Sequence, residues 1–361
     1  MRNLAALITI LIFTGFTSLA VSQEVTPAPK DSNIDQILTK LQANSLVKYQ
    51  GIMTTILVNN PISKIYHYKI ENYGNIFRRE ELLTNGFEKE IDYDDGKNLW
   101  RFFPNKNLLI KETTKINQPI ANSFLKDLIN LVKKNYEIKI LGEYEYHQRI
   151  GYKILFKPKI PDRPQQIYWI DYQTGIPLKI EKYGPDNELI SVTSFSQIDF
   201  QLTPNKENLG LMVPPQTQLT EVKEKFNLNL TEAKNQMENK IIEPLYLPAG
   251  FNLNNIIVRE LGDEKIAQFF YTDGLSSLSI FQKCLKKETV TAGEAVFFTS
   301  SGTLNIINLK YNLLSITIMG EVFKEEIFKV AESLMPDRKK IPQFPPIDSS
   351  LTKEVGTYHS K

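Results

Sequence analysis

The sequence contains one cysteine, Cys284, and three histidines, His67, His147 and His359, in 361 residues. A lone thiol closes no internal disulfide, and one thiol with three scattered imidazoles gives no zinc-type spacing. These counts argue against both a disulfide framework and a structural zinc site. They also leave Cys–His and Ser–His–Asp catalysis short of parts. Charge of one sign is lacking too: 43 Lys and Arg stand against 41 Asp and Glu, a net charge of +2. The cationic footprint that binds nucleic-acid phosphate is therefore not expected. Beyond the first residues no apolar run is long enough to span a bilayer. What is present is ordinary globular material, 42% hydrophobic and 23% charged, at a length that suits two or three domains.

The N-terminus reads as an address. Met1-Arg2-Asn3 supplies one positive charge, Leu4 to Phe13 is apolar, and the small residues Ala20 and Ser22 precede Gln23. This is the layout of a secretory signal peptide over residues 1–22, cleaved near Ser22/Gln23. Thr14, Gly15, Thr17 and Ser18 weaken the stretch as a permanent anchor, and no cysteine near the cleavage point offers a site for lipid attachment. The expectation is an exported, soluble mature chain.

In the mature part, Ile34, Ile37, Leu38 and Leu41 fall on one helical face, with Asp31 or Asn33 as cap. From Tyr49 onward, segments rich in Ile, Tyr, Phe and Thr alternate with Asn85-Gly86 and Asp95-Gly96, the turn chemistry of antiparallel hairpins. The spacing predicts strands at Ser63 to Tyr73, Asn75 to Leu83, Phe87 to Tyr93 and Asn98 to Phe103. A second amphipathic helix, with Phe124, Leu125, Leu128, Ile129 and Val132 as its stripe, interrupts them. Strands resume around Ile138, Ile150 to Phe156, Ile167 to Tyr172 and Ile176 to Tyr183. Residues 203–226, with Pro204, Pro214 and Pro215, read as a linker. After a short helix that Asn229 or Thr231 can cap, a second strand-rich block runs from Ile256 to Met319. It ends in a helix carrying Phe323, Ile327, Val330, Ala331 and Leu334. The fold class is α+β. The expected plan is a first domain at 23–202, a linker at 203–226, a small α+β domain at 227–335 and a polar, proline-containing tail at 336–361.

No constellation of residues amounts to an active site, and no enzyme, metal or cofactor is expected. Asp92, Asp94 and Asp95 ahead of Gly96 echo a calcium loop, but Phe102 stands where its closing glutamate belongs, so the segment reads as a hairpin turn. Asp171 and Asp273 could in principle form an acid–base pair, yet each adjoins a turn glycine, Gly175 or Gly274, and turn chemistry accounts for both. Cys284 lies in a strand-like alternation and reads as a small apolar residue.

The aromatic residues carry more information. Leu99-Trp100-Arg101-Phe102-Phe103 is apolar on both faces of a strand, and Tyr168-Trp169 repeats the pattern. Such surplus apolar surface must meet helices, a partner or an apolar ligand. Packing on the Phe124–Val132 helix is one account. A lipid-accepting cavity is the other, and its candidate lining residues are Trp100, Phe102, Phe124, Leu128, Tyr168 and Trp169.

Three ordered stretches then carry a resemblance. Tyr246-Leu247-Pro248-Ala249-Gly250-Phe251, Tyr271-Thr272-Asp273-Gly274-Leu275-Ser276-Ser277-Leu278-Ser279-Ile280-Phe281 and Ile316-Thr317-Ile318-Met319-Gly320-Glu321-Val322 resemble the small domain of the MucB/RseB family. The family patterns there are LP-x-GF, YSDGL-x-SVSVF and VT-x-VGE, and Thr272 replaces the family serine. Asp95 to Pro104 and Tyr168 to Lys179 resemble the larger family domain, which shares its fold with the lipoprotein carriers LolA and LolB. The resemblance covers most of Gln23 to Leu334. It implies a curved antiparallel half-barrel with a helical plug, followed by a small α+β domain. It further implies a periplasmic sensor that binds the periplasmic part of an anti-sigma factor, or a similar inner-membrane protein, and shields it from proteolysis. Lipid or lipopolysaccharide would release it. A carrier of lipid or acylated lipoprotein is the alternative the same resemblance allows.

Overall fold

A computed structural model describes residues 33–43, 47–58, 63–74, 76–82, 90–113, 122–146, 148–201, 211–285 and 296–335. The expected signal peptide, the Asn85-Gly86 turn and the tail at 336–361 lie outside the described residues.

Helix α1 spans Ile34–Ala43. Asn33 Oδ1 accepts the backbone N–H of Asp35 at its start, and Ile37 and Leu38 are buried. Eleven strands make the first sheet: β1 Tyr49–Leu57, β2 Lys64–Asn72, β3 Phe77–Leu82, β4 Ile91–Asp94, β5 Asn98–Phe103, β6 Leu108–Thr113, β7 Tyr136–Tyr146, β8 Arg149–Pro158, β9 Gln165–Asp171, β10 Pro177–Tyr183 and β11 Leu189–Asp199. Their pairings place them side by side as β7-β8-β9-β10-β11-β1-β2-β3-β4-β5-β6, every neighbour antiparallel. Helix α2, Asn122–Asn135, interrupts the strands between β6 and β7 as the apolar stripe predicts. Ile37 and Leu38 of α1 and Val132 of α2 pack with Met53, Ile70, Ile154, Phe156, Tyr168, Ile180 and Phe195 on one face of this sheet. Burying each such side chain contributes roughly 1.5–3 kcal/mol. The α+β class, an open antiparallel sheet with helices on one face, is the architecture observed.

Residues 203–226 are not all linker. Gln218–Lys225 is a strand, β12. It runs parallel to β6, from Gln218 beside Leu108 to Val222 beside Glu112, and its last three residues pair antiparallel with β13. One continuous hydrogen-bonded sheet therefore passes from the first domain into the second. Sequence reading also misses β6.

The second domain contains β13 Asn252–Leu261, β14 Glu264–Thr272, β15 Ser277–Cys284, β16 Phe297–Ser301, β17 Leu304–Tyr311 and β18 Leu314–Gly320. Beyond β12 their order is β13-β14-β15-β18-β17-β16, all antiparallel. Helix α3, Leu230–Gln236, starts with a complete capping box between Asn229 and Glu232. Helix α4, Lys324–Ser333, buries Ile327, Val330 and Ala331. Both helices contribute to one core with Ile256, Phe269, Ile280, Ile316 and Ile318.

Candidate functional site: the domain joint and its groove

The three stretches that carry the family resemblance are far apart in sequence and meet in space, at the joint between the domains. The β14–β15 turn is built by its own side chains. Asp273 Oδ1 accepts the N–H groups of Leu275 and Ser276 at 2.9 and 2.7 Å, and Thr272 Oγ1 accepts the N–H of Gly274 at 3.0 Å. Thr272 thus serves the hydroxyl role with an extra methyl group. The turn backs directly onto helix α2: Gly274 has φ +104°, and a Cβ there would lie 2.7 Å from Val132 Cγ2. At Gly250, φ +86°, a Cβ would meet Asn135 Oδ1 at 2.2 Å. Both turn glycines are therefore required twice, for backbone conformation and for the closeness of the helix.

Polar groups of the first domain complete the joint. Asn135 Nδ2 donates to the carbonyls of Gly250 and Asp273 at 3.2 and 2.9 Å. Tyr136 Oη donates to Asp273 Oδ2 at 2.6 Å. Arg163, held by Asp162 through two hydrogen bonds, donates from Nη1 to the same Asp273 oxygen at 2.5 Å and from Nη2 to the Ala249 carbonyl. Its guanidinium also lies 4.7 Å from the Phe251 ring centroid. The Asp162 carbonyl accepts the N–H of Phe323, at the start of α4. Lys182 of β10 pairs with Glu321. Arg163 is 3% exposed and Asp273 0%, so the charges are fully removed from water and must be matched. Burial and the adjacent Asp273 carboxylate push the Tyr136 hydroxyl well above its ordinary pKa, which keeps it a donor. From Tyr136 and Asp273 the network continues through Ser276 to Gln166 and Tyr168.

Beside the joint is a groove of about 230 Å³. Asp127, Leu128 and Leu131 of α2 form one wall; Asn252, Leu253 and Asn254 of β13 and Thr272 of β14 form the other. It is smaller than the roughly 300–1,000 Å³ typical of small-molecule pockets. Leu253 is 47% exposed at its rim.

Of the six residues expected to line a lipid cavity, the five whose side chains are described fall on different surfaces. Tyr168 lies in the helix-covered core, 5% exposed, with its ring against Phe156. Trp169, the next residue, points to the opposite face, with Lys153 and Lys179 ammonium groups 4.8 and 4.5 Å from its ring centroid. The register runs Ile70–Arg79–Asp92–Arg101–Ile110 across β2 to β6 on the core side. Phe102, opposite Ile91 and Leu109, is therefore on the other face, as is Trp100. These two pack with Ile91, Leu109, Leu211 and Val213 instead of α1 and α2. Leu128 lines the groove at the joint. The side chain of Phe124 lies outside the described residues.

Asp171 and Asp273 belong to separate networks, the former bound by Arg149 and Thr174 in its own turn. Asp94 and Asp95 accept turn N–H groups, and Asp92 is held by Arg79 and Arg101. Cys284 is half-buried, and burial raises its thiol pKa. Sequence reasoning missed Arg163, Tyr136, Asn135 and Lys182. None belongs to a motif, and only their contacts with the three motifs reveal them.

The family model described as MucB/RseB N-terminal domain matches residues 33–214, and that described as MucB/RseB C-terminal domain matches residues 239–335. The chain is 21% identical over 328 residues to an uncharacterized protein, MJ0687, of Methanocaldococcus jannaschii, covering 84% of this chain and 92% of that one. A crystal structure of MucB in complex with MucA(peri) aligns with TM-score 0.52 at 18% identity, covering 83% of this chain and 98% of that one. The Pseudomonas aeruginosa MucA/MucB complex gives 0.50 at 18% identity, covering 82% and 96%. Among the described residues no helix is long and apolar enough to cross a membrane.

Proposed function

The chain belongs to the MucB/RseB family, and from that premise we propose that it is a non-enzymatic, exported periplasmic regulator. It binds the periplasmic part of an anti-sigma factor or a similar inner-membrane protein and shields that part from proteolysis. Lipid or lipopolysaccharide favours the unbound form and so releases the partner.

The observation that supports this reading best is the groove at the joint. Its two walls come from different domains, Leu128 and Leu131 from one and Leu253 and Thr272 from the other. A binding site of that kind depends on the joint, which the Arg163–Asp273 and Lys182–Glu321 pairs help to hold together. A regulator requires such a dependence, because a signal that loosens the joint also dismantles the site. The structures of MucB in complex with MucA are in keeping with a protein partner.

The test is affinity capture with the mature protein from envelope extracts, followed by protease challenge of whatever is captured. The expected result is an inner-membrane protein whose periplasmic segment is cleaved more slowly when bound. Capture of no membrane protein under several envelope stresses would overturn it. Acylated cargo in native mass spectrometry, with no bound polypeptide, would favour the carrier.

A further inference from the structure

The strand that ties the two domains carries a second buried charged row. Glu112 of β6 stands beside Val222 of β12, and Glu224 is two residues further along β12, on the same face. Arg259 of β13 faces Glu224 in register, donating from Nε to Glu224 and from Nη1 to Gln268 Oε1 at 2.5 Å. On the other side of Glu112, Arg101 of β5 is 2.8 Å from Asp92 and 3.0 Å from Glu90. Arg79 of β3 reaches Asp92 at 2.5 Å and Glu90 at 3.5 Å. Four carboxylates thus share three guanidinium groups. The Lys111–Glu221 pair also joins β6 and β12, but both residues alternate with Glu112 and Val222 and lie on the opposite face. Glu112 is 3% exposed, and its Oε1 has no hydrogen-bond partner among the described residues.

We propose that Glu112 is a proton switch on the seam between the domains. Neutral at mildly acidic pH, it stabilises the β6–β12 pairing; ionised at mildly alkaline pH, it loosens that pairing. The groups facing it are Arg101 and Asp92 from the first domain's sheet, Glu224 from β12 and Arg259 from β13. Each guanidinium is engaged by another carboxylate, so an ionised Glu112 is a buried charge without a dedicated partner. Burial first, and then the Glu224 carboxylate, raise the Glu112 pKa to about 7, against the lowering pull of Arg101 and Arg259. In the unfolded chain the carboxyl titrates near 4.3. Its favourable contribution is therefore complete below that pH and is lost as pH rises through about 7. This inference does not depend on the identity of any partner.

The experiment is native-state hydrogen exchange of the β12 amides from about pH 5 to about pH 8.5, corrected for intrinsic exchange, on the full mature chain and on Glu112→Gln. Protection of residues 218–225 is expected to fall about tenfold or more in the parent between about pH 5 and about pH 7, to level off above that, and to stay level in the variant. Level protection in the parent, or an equal fall in both, would overturn the proposal. Should Glu112→Gln not fold, Glu224→Gln decides the question: removing the repelling neighbour is expected to lower the pH at which the fall levels off, and an unmoved levelling point refutes the switch.

Discussion

Gly274, at φ +104°, faces Val132 so closely that a methyl group on its Cα would stand 2.7 Å from the valine Cγ2 and 2.9 Å from its backbone nitrogen. This contact, with the Asn135 hydrogen bond to the Asp273 carbonyl, joins the turn of one domain to the helix that covers the sheet of the other. Gly274→Ala meets two costs: a backbone conformation that L-residues avoid, about 1–2 kcal/mol, and overpacking against a helix fixed on its far side, about 1–3 kcal/mol. The expected loss is about 2–4 kcal/mol in urea unfolding. A loss under about 1 kcal/mol would mean that α2 yields and that the joint is softer than its geometry indicates.

Arg163 and Asp273 make the second test. Removing the cation by Arg163→Met leaves Asp273 buried beside Tyr136 with its charge uncompensated, and breaking such a pair costs about 3–5 kcal/mol. Adding Asp273→Asn to Arg163→Met removes the stranded charge while keeping an oxygen to accept the turn N–H groups. The double variant is therefore expected to be more stable than Arg163→Met alone. Equal or lower stability of the double variant would show that Asp273 acts chiefly through its turn and not through the ion pair.

Much of this fold was legible because apolar periodicity and turn chemistry agreed locally. The stripe Ile34, Ile37, Leu38 and Leu41, the Asn229 cap and the Phe323–Leu334 pattern each specified an element with no distant information. β12 was hidden for a physical reason: its buried face carries Thr220, Val222 and Glu224, so no hydrophobic alternation marks it, and its parallel partner β6 is joined to it by no hairpin. The faces of the aromatic residues were hidden for a different reason. Burial of Phe102 and Tyr168 could be anticipated, but which side of the sheet each occupies depends on cross-strand register, which a stretch apolar on both faces does not fix. The motifs at Gly250, Gly274 and Glu321 were visible as motifs. Their convergence required the residues that hold them, Asn135, Arg163 and Lys182, which no local pattern singles out.

Asp171 gives the acid limb of stability. Burial pushes its pKa up, but the Arg149 fork at 2.6 and 2.9 Å and the Thr174 N–H and hydroxyl at 2.8 and 2.7 Å prevail and hold it below the usual carboxylate range. A depressed folded-state pKa contributes stability that is present above the unfolded value, about 3.9, and lost as pH falls through the folded one. Asp171→Asn is therefore expected to cost about 1–3 kcal/mol at neutral pH. The gap between variant and parent should close as pH falls below the usual carboxylate range in denaturant titrations. A gap that persists at low pH would assign the effect to packing and not to the carboxylate charge.

Leu253 separates binding from folding at the groove. It is 47% exposed and forms part of a wall with Asn252, Asn254 and Thr272, opposite Leu128 and Leu131. Leu253→Asp removes little core, so its effect on stability should stay within about 0.5 kcal/mol. Covering a leucine by a partner contributes about 1.5–3 kcal/mol. Loss of that term, compounded by a carboxylate placed beside Asp127, should weaken partner binding by about tenfold or more. Leu245, 78% exposed and outside the groove lining, provides the matched control, and Leu245→Asp is expected to bind as the parent does. Calorimetry with the captured partner segment reads both. If the two aspartate variants bind alike, the partner does not use this groove, and the joint's role reduces to holding the domains in place.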